Sequence, residues 1–118
     1  MCRAMINKFK AAFAGIADGL GHRSVRIQYE LAACALAAGC IMKLTAEEWV
    51  AVIICIGMVI TAEMLNTCIE KICDMYSTEI DARIKVIKDI AAGAVLAASV
   101  AALVTAMVIL AVHLKGNI

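Results

Sequence analysis

Ala62-Glu63-Met64-Leu65-Asn66-Thr67-Cys68-Ile69-Glu70-Lys71-Ile72-Cys73-Asp74 is the stretch that decides the reading of this chain. It continues the apolar run from Trp49 to Ala62 without a break, so Glu63 falls at or just inside a membrane boundary. At about 100° per residue, Glu70 and Asp74 both return to the face of Glu63, with Asn66 and Thr67 between them. Met64, Leu65, Ile69, Ile72 and Cys73 fill most of the remaining circumference. Three acids, an amide and a hydroxyl on one stripe of an apolar helix are costly in lipid unless they serve a purpose. Carboxylates at that spacing can hold a hard cation such as Mg²⁺ and still leave one base for proton transfer. The plainer alternative is a helix leaving the bilayer with a solvated acidic face. That accounts well for Asp74, partly for Glu70 and poorly for Glu63.

Composition fixes the class. The chain has 118 residues, enough for one domain, and 64 % of them are hydrophobic. Soluble domains carry about 45–50 %, and the mean hydropathy here is +0.94. A core this small cannot bury so much apolar surface, so the remainder faces lipid. The net charge of +1 argues neither for nor against an anionic partner. No charged-then-apolar leader ending in a small-residue cleavage site opens the chain, so membrane delivery is expected to rest on the spanning helices. The six cysteines lack zinc-finger or CxxC spacing and read as small hydrophobes in packed helices. Proline is absent, which suits uninterrupted helices.

The expected architecture is all-α: an amphipathic surface helix over 5–20 and three spans over 27–44, 49–70 and 90–112. In the first segment Met5, Ile6, Phe9, Phe13, Ile16 and Leu20 recur at steps of three and four, flanked by Arg3, Lys8 and Lys10. Gly19 and Gly21 end it, and residues 22–26 read as a short basic turn. The first span is short, but Tyr29 marks one boundary and Lys43 snorkels at the other. Thr45-Ala46-Glu47-Glu48 is a capping box that opens the next helix. Ser77-Thr78-Glu79 ends that helix, and a short helix is expected to start at Glu79. Residues 90–112 are free of charge, with Gly93, Ala94, Ala97, Ala98, Ala101 and Ala102 as a small-residue seam.

Charge orients the spans. Arg3, Lys8, Lys10, Arg23 and Arg26 precede the first; Lys71, Arg83, Lys85 and Lys88 lie between the second and third. Lys43 and Lys115 fall on the other side with Glu47 and Glu48. The positive-inside rule places the amino terminus and second loop in the cytoplasm. The acidic stripe, Lys88-Asp89 and the basic turn then converge at one interface. Acids for a divalent cation, a base at headgroup depth and nearby lysines suit phosphoryl transfer from a nucleotide. The chain has no GxxxxGK[ST] loop and no kinase-type glycine-rich loop, which excludes the usual nucleotide folds.

Glu63-Met64-Leu65-Asn66-Thr67-Cys68-Ile69-Glu70-Lys71 followed by Asp74 resembles the E-x-x-N-[ST]-x-I-E…D signature of the prokaryotic diacylglycerol kinase family. Lys88-Asp89-Ile90-Ala91-Ala92-Gly93-Ala94-Val95 resembles its second block. The likeness covers nearly the whole chain. Arg26-Ile27-Gln28, Glu48-Trp49 and the Ala-Ala-Gly-Ala-Val run look closer to its undecaprenol kinase branch. The resemblance implies a homotrimeric lipid kinase of the bacterial inner membrane that uses ATP with Mg²⁺ at composite sites between subunits. It implies Glu63 as general base on the lipid hydroxyl and Glu70 as metal ligand. Asn66, Asp74, Glu79, Lys88 and Asp89 would serve the nucleotide.

Two departures stand out. His22 occupies the place of an acid that the family uses as a second metal ligand, and neutral imidazole is a poorer ligand for Mg²⁺ than carboxylate. Glu30, two turns further on, or an acid from another subunit, is the expected substitute. The family's Tyr-His after the Glu79 position is here Ile80-Asp81. Two readings compete within the family, undecaprenol or diacylglycerol as acceptor. Outside it stands a non-enzymatic membrane protein, such as a proton-coupled transporter subunit with one essential carboxylate; that would not require Asn66, Glu70, Asp74 and Lys88-Asp89 in register.

Overall fold

The computed structural model describes residues 2–116. Helix α1 (Cys2–Asp18) is followed by one 3-10 turn (Gly19–Gly21), then α2 (Arg23–Met42), α3 (Ala46–Tyr76) and α4 (Ala82–Gly116). α2, α3 and α4 are each long and apolar enough to cross a membrane. The links of 43–45 and 77–81 are too short for anything but antiparallel neighbours. α3 is the centre of the bundle, packing on α4 along most of its length and on α2 to a lesser extent.

The core is thin and made of small side chains: Val25, Val59, Cys73, Ile84, Ala91 and Ala98 are the buried hydrophobic residues. Large apolar residues such as Leu31, Ile53, Leu103 and Met107 point outward. That inversion of the soluble pattern suits a lipid solvent, in which small residues bring helices together and bulky ones face hydrocarbon.

α1 lies outside this bundle and is attached through its carboxyl end. The Tyr29 hydroxyl donates to the Ile16 carbonyl at 2.8 Å. Gly19 makes the attachment possible, because a Cβ there would stand 2.5 Å from the Tyr29 hydroxyl and 2.8 Å from Val25. Phe9, Phe13 and Ile16 stay exposed on its apolar face, as expected of a helix lying on a membrane.

Opposite the acidic stripe, α2 stops with Lys43 in the left-handed region at φ 54°. The amides of Lys43 and Leu44 return to the carbonyls of Cys40 and Gly39, at 3.3 and 3.2 Å, in a Schellman-like closure. The capping box then starts α3: Thr45 Oγ1 accepts from the Glu48 amide at 3.2 Å, and Glu48 Oε1 accepts from the Thr45 amide at 2.9 Å. Gly39 is buried beneath Trp49, where a Cβ would meet the indole at 2.6 Å.

Two expected boundaries are corrected. Residues 23–26 form the first turn of α2 rather than a turn between helices, with His22 as its N-cap. No short helix begins at Glu79; α4 starts at Ala82 and runs unbroken through the third span. Its start is fixed by Asp81, whose Oδ1 accepts from the Arg83 amide at 2.8 Å. Asp81 is the better initiator because its short carboxylate reaches the free amides of the first turn.

Candidate active site

The stripe on α3 divides by depth. Glu63 and Asn66 are only 7 % and 8 % exposed, whereas Glu70 and Asp74 are exposed. The helical repeat brings all four toward one side, and the packing of α2 and α4 covers only its apolar-side half. Thr67 Oγ1 donates to the backbone carbonyl of Glu63 at 3.0 Å, which leaves the Glu63 carboxylate without a hydrogen-bond partner among the described residues. Asn66 Nδ2 donates to Glu70 Oε1 at 3.1 Å. Asn66 Oδ1 is buried and has no donor among the described residues. A buried acceptor left unpaired costs about 1–3 kcal/mol, which singles out Asn66 as a candidate functional residue.

An apolar groove of about 820 Å³ opens between α3 and α4 and runs past Asn66 to Ile69. Ile54, Met58, Ala62 and Leu65 line it from α3, Ile90 and Ala94 from α4. From Ile54 to Ile69 the groove follows roughly 22 Å of α3 at 1.5 Å per residue. Asn66 belongs both to this groove and to the acidic stripe.

Ionic contacts tie the exposed part together. Lys88 Nζ donates to Asp74 Oδ1 at 2.8 Å, a bond from α4 to α3. Asp89 points elsewhere and pairs with Lys85 on its own helix at 2.6 Å. Lys88-Asp89, adjacent in sequence, is thus split between two faces, as neighbours on a helix must be. Glu79 lies exposed in the link before α4, its amide donating to Ser77 Oγ at 3.1 Å. In the same link the Arg83 guanidinium, 3.0 Å away, holds the Asp81 carboxyl below the usual carboxylate range.

The expected metal ligands do not gather. Among the described residues no three His, Cys, Asp or Glu side chains converge closely enough to hold an ion. His22 Nε2 lies 3.1 Å from the ammonium of Lys71, and Glu30 is exposed on α2 with no hydrogen bond among the described residues. Glu70 still fits a Mg²⁺ role. Its Oε1 is taken by Asn66, but the rest of the carboxylate is open to solvent. Mg²⁺ bound with nucleotide needs only one or two carboxylates, with phosphates and water completing the octahedron.

Sequence reasoning missed two contacts. Lys71 reads as a loop charge in sequence, although it lies one step past Glu70 and so faces α2 rather than solvent alone. His113, read as a marker of the span's exit, closes on Glu48 with Nε2 3.0 Å from both carboxylate oxygens. A histidine and a glutamate at the same end of antiparallel spans was the available signal for that pair.

No curated protein matches the chain by sequence. A family profile does: that of prokaryotic diacylglycerol kinase, over residues 10–110. The match takes in the end of α1, all three long helices up to the last turns of α4, and both motif blocks. This chain therefore belongs to the prokaryotic diacylglycerol kinase family and is a membrane lipid kinase, an ATP-dependent phosphotransferase acting on a lipid hydroxyl.

Proposed function

We propose that the chain phosphorylates undecaprenol, with Glu63 as the base that takes the hydroxyl proton. The observation that carries this reading is the apolar groove that runs along α3 past Asn66. It is hydrocarbon-lined apart from Thr61 and Asn66, so it suits a lipid that is apolar up to its terminal hydroxyl. Diacylglycerol would bring ester carbonyls into the same space, and the groove offers few donors for them. The lipid hydroxyl has a single proton, and in this reading it is turned toward the Glu63 carboxylate, which has no hydrogen-bond partner among the described residues, while Asn66 lines the groove one turn further along α3.

In the reaction the O–H bond breaks toward Glu63, the lipid oxygen bonds to the γ-phosphorus, and the bond to the β-phosphate oxygen breaks to release ADP. Glu70 would hold Mg²⁺, which neutralises charge on the phosphates when bound. Asn66 keeps the Glu70 carboxylate in place through its 3.1 Å bond. Asp74 and Lys88 fasten α3 to α4 where Lys88 can reach the nucleotide, with Asp89 and Glu79 at the rim.

The same reading includes a homotrimer with sites shared between subunits. One chain alone assembles no three-ligand metal cluster among its described residues, and Gly93 of α4 faces open space where a neighbour's helix fits. It also places the protein in the bacterial plasma membrane with the acidic end cytoplasmic, following the lysine and arginine bias. The test is transfer of radiolabelled phosphate from MgATP to undecaprenol and to diacylglycerol in mixed micelles. Undecaprenol is expected to be the better acceptor. Preferential labelling of diacylglycerol would reject the proposed substrate.

A further inference from the structure

Near the acidic stripe, one group of cations has no counter-charge. Arg83, Lys85 and Lys88 each hold a carboxylate within 3.0 Å. Lys71 and His22 hold each other instead, at 3.1 Å, and neither meets a carboxylate among the described residues. They come from different elements: Lys71 from α3, His22 from the junction before α2. An ammonium and an imidazole are brought together across 49 positions of sequence.

The surroundings deepen the positive character. Arg23 and Arg26 occupy the first turn of α2. His22 is its N-cap residue but makes no side-chain cap bond, so the positive end of the helix dipole is uncompensated by a side chain. Asp18 and Glu30, the acids nearest in sequence, form no ion pair among the described residues. With Nε2 accepting from the lysine, a neutral His22 carries its proton on Nδ1 and presents it outward. Lys71 retains two further N–H donors. Such a set has donors and positive charge and no acceptor, which is the chemistry of a phosphate site.

We propose that Lys71 and His22 together bind a phosphate group beside Glu70, namely the terminal phosphates of the nucleotide. The position supports that choice, since Lys71 follows Glu70 directly on α3 and stands about 100° around the helix from it. Charge on the phosphates is then met from two sides, by the metal at Glu70 and by an ammonium on the side facing α2. The proposal rests on the reading that the acidic end receives ATP, and it is independent of which lipid accepts the phosphate.

Protection by inorganic pyrophosphate against thermal unfolding tests it without lipid acceptor, metal or turnover. The full chain in neutral detergent is compared with Lys71→Ala, Lys71→Arg and His22→Gln. Lys71 is exposed on a helix and alanine is a good helix former, so the variant keeps the fold. Loss of a charge-assisted contact is expected to weaken pyrophosphate binding about tenfold or more in Lys71→Ala, with arginine restoring most of it. The KM for MgATP rises in parallel and kcat falls with it, because the same ammonium meets charge on the phosphate being transferred.

A second arm replaces pyrophosphate with micelles containing phosphatidylglycerol. If Lys71→Ala weakens only that protection, the site belongs to a lipid headgroup and its assignment to the nucleotide is overturned. Unchanged protection in both arms overturns the site altogether. Failure of undecaprenol as acceptor would leave the pyrophosphate result standing, so the two readings fail separately.

Discussion

The two ends of α3 solve opposite problems. At its start, polar groups close on one another: Thr45 and Glu48 cap each other's amides, His113 closes on Glu48, and Trp49 covers Gly39. Toward the other end, the Glu63 carboxylate has no partner among the described residues, Asn66 keeps a buried acceptor unpaired, and Lys71 leans on a histidine. The first arrangement fixes where a helix enters and how α2 and α4 meet it. The second keeps groups uncommitted until a ligand commits them. Buried polar groups are normally satisfied, so the contrast within one helix separates scaffold from chemistry.

Substitution at each end should move a different quantity. Glu63→Gln keeps shape and removes the base; phosphate transfer is expected to fall by about 10²–10⁴-fold, the usual range for a general base. Its thermal midpoint in micelles should match the wild type, and a parallel loss of stability would break the contrast. Gly39→Val should do the reverse. The added side chain meets Trp49 and Leu44, and overpacking of this kind costs about 1–3 kcal/mol. Denaturation followed by circular dichroism measures that, with activity per folded molecule unchanged.

Asn66→Leu sharpens the comparison with a smaller change in stability than Gly39→Val, and of opposite sign. It removes the orphaned acceptor and extends the apolar groove, so the fold is expected to gain about 1 kcal/mol. Transfer should nevertheless be lost, since Glu70 loses its positioning partner. A protein both less stable and less active would place Asn66 with the scaffold instead.

Much of this was legible in sequence for reasons that are local. Hydropathy marked three spans, because lipid exposure needs only composition and length. The capping box was readable because both partners lie within one turn, and the helical repeat gathered Glu63, Asn66, Glu70 and Asp74 without any tertiary information. What escaped depends on the relative rotation of helices. Nothing local says that Lys88 reaches Asp74 while Asp89 turns back to Lys85, or that Lys71 meets His22. The start of α4 was misplaced at Glu79 because both Glu79 and Asp81 are acids ahead of a helical run. Only backbone geometry shows which one bonds an amide. The depth difference between Glu63 and Glu70 was legible as well, because the apolar run ends at Ala62 and the acids follow it outward.

The unbroken length of α4 has a mechanical consequence. Its 35 residues make a rod of about 52 Å, against a hydrocarbon thickness of roughly 30 Å. The surplus is rigid, and Lys85, Lys88 and Asp89 ride on it. Lys88 couples that rod to α3 through Asp74, so the two helices rise or sink together. The height of the acidic groups above the lipid surface is therefore set by bilayer thickness, acting against two stiff struts.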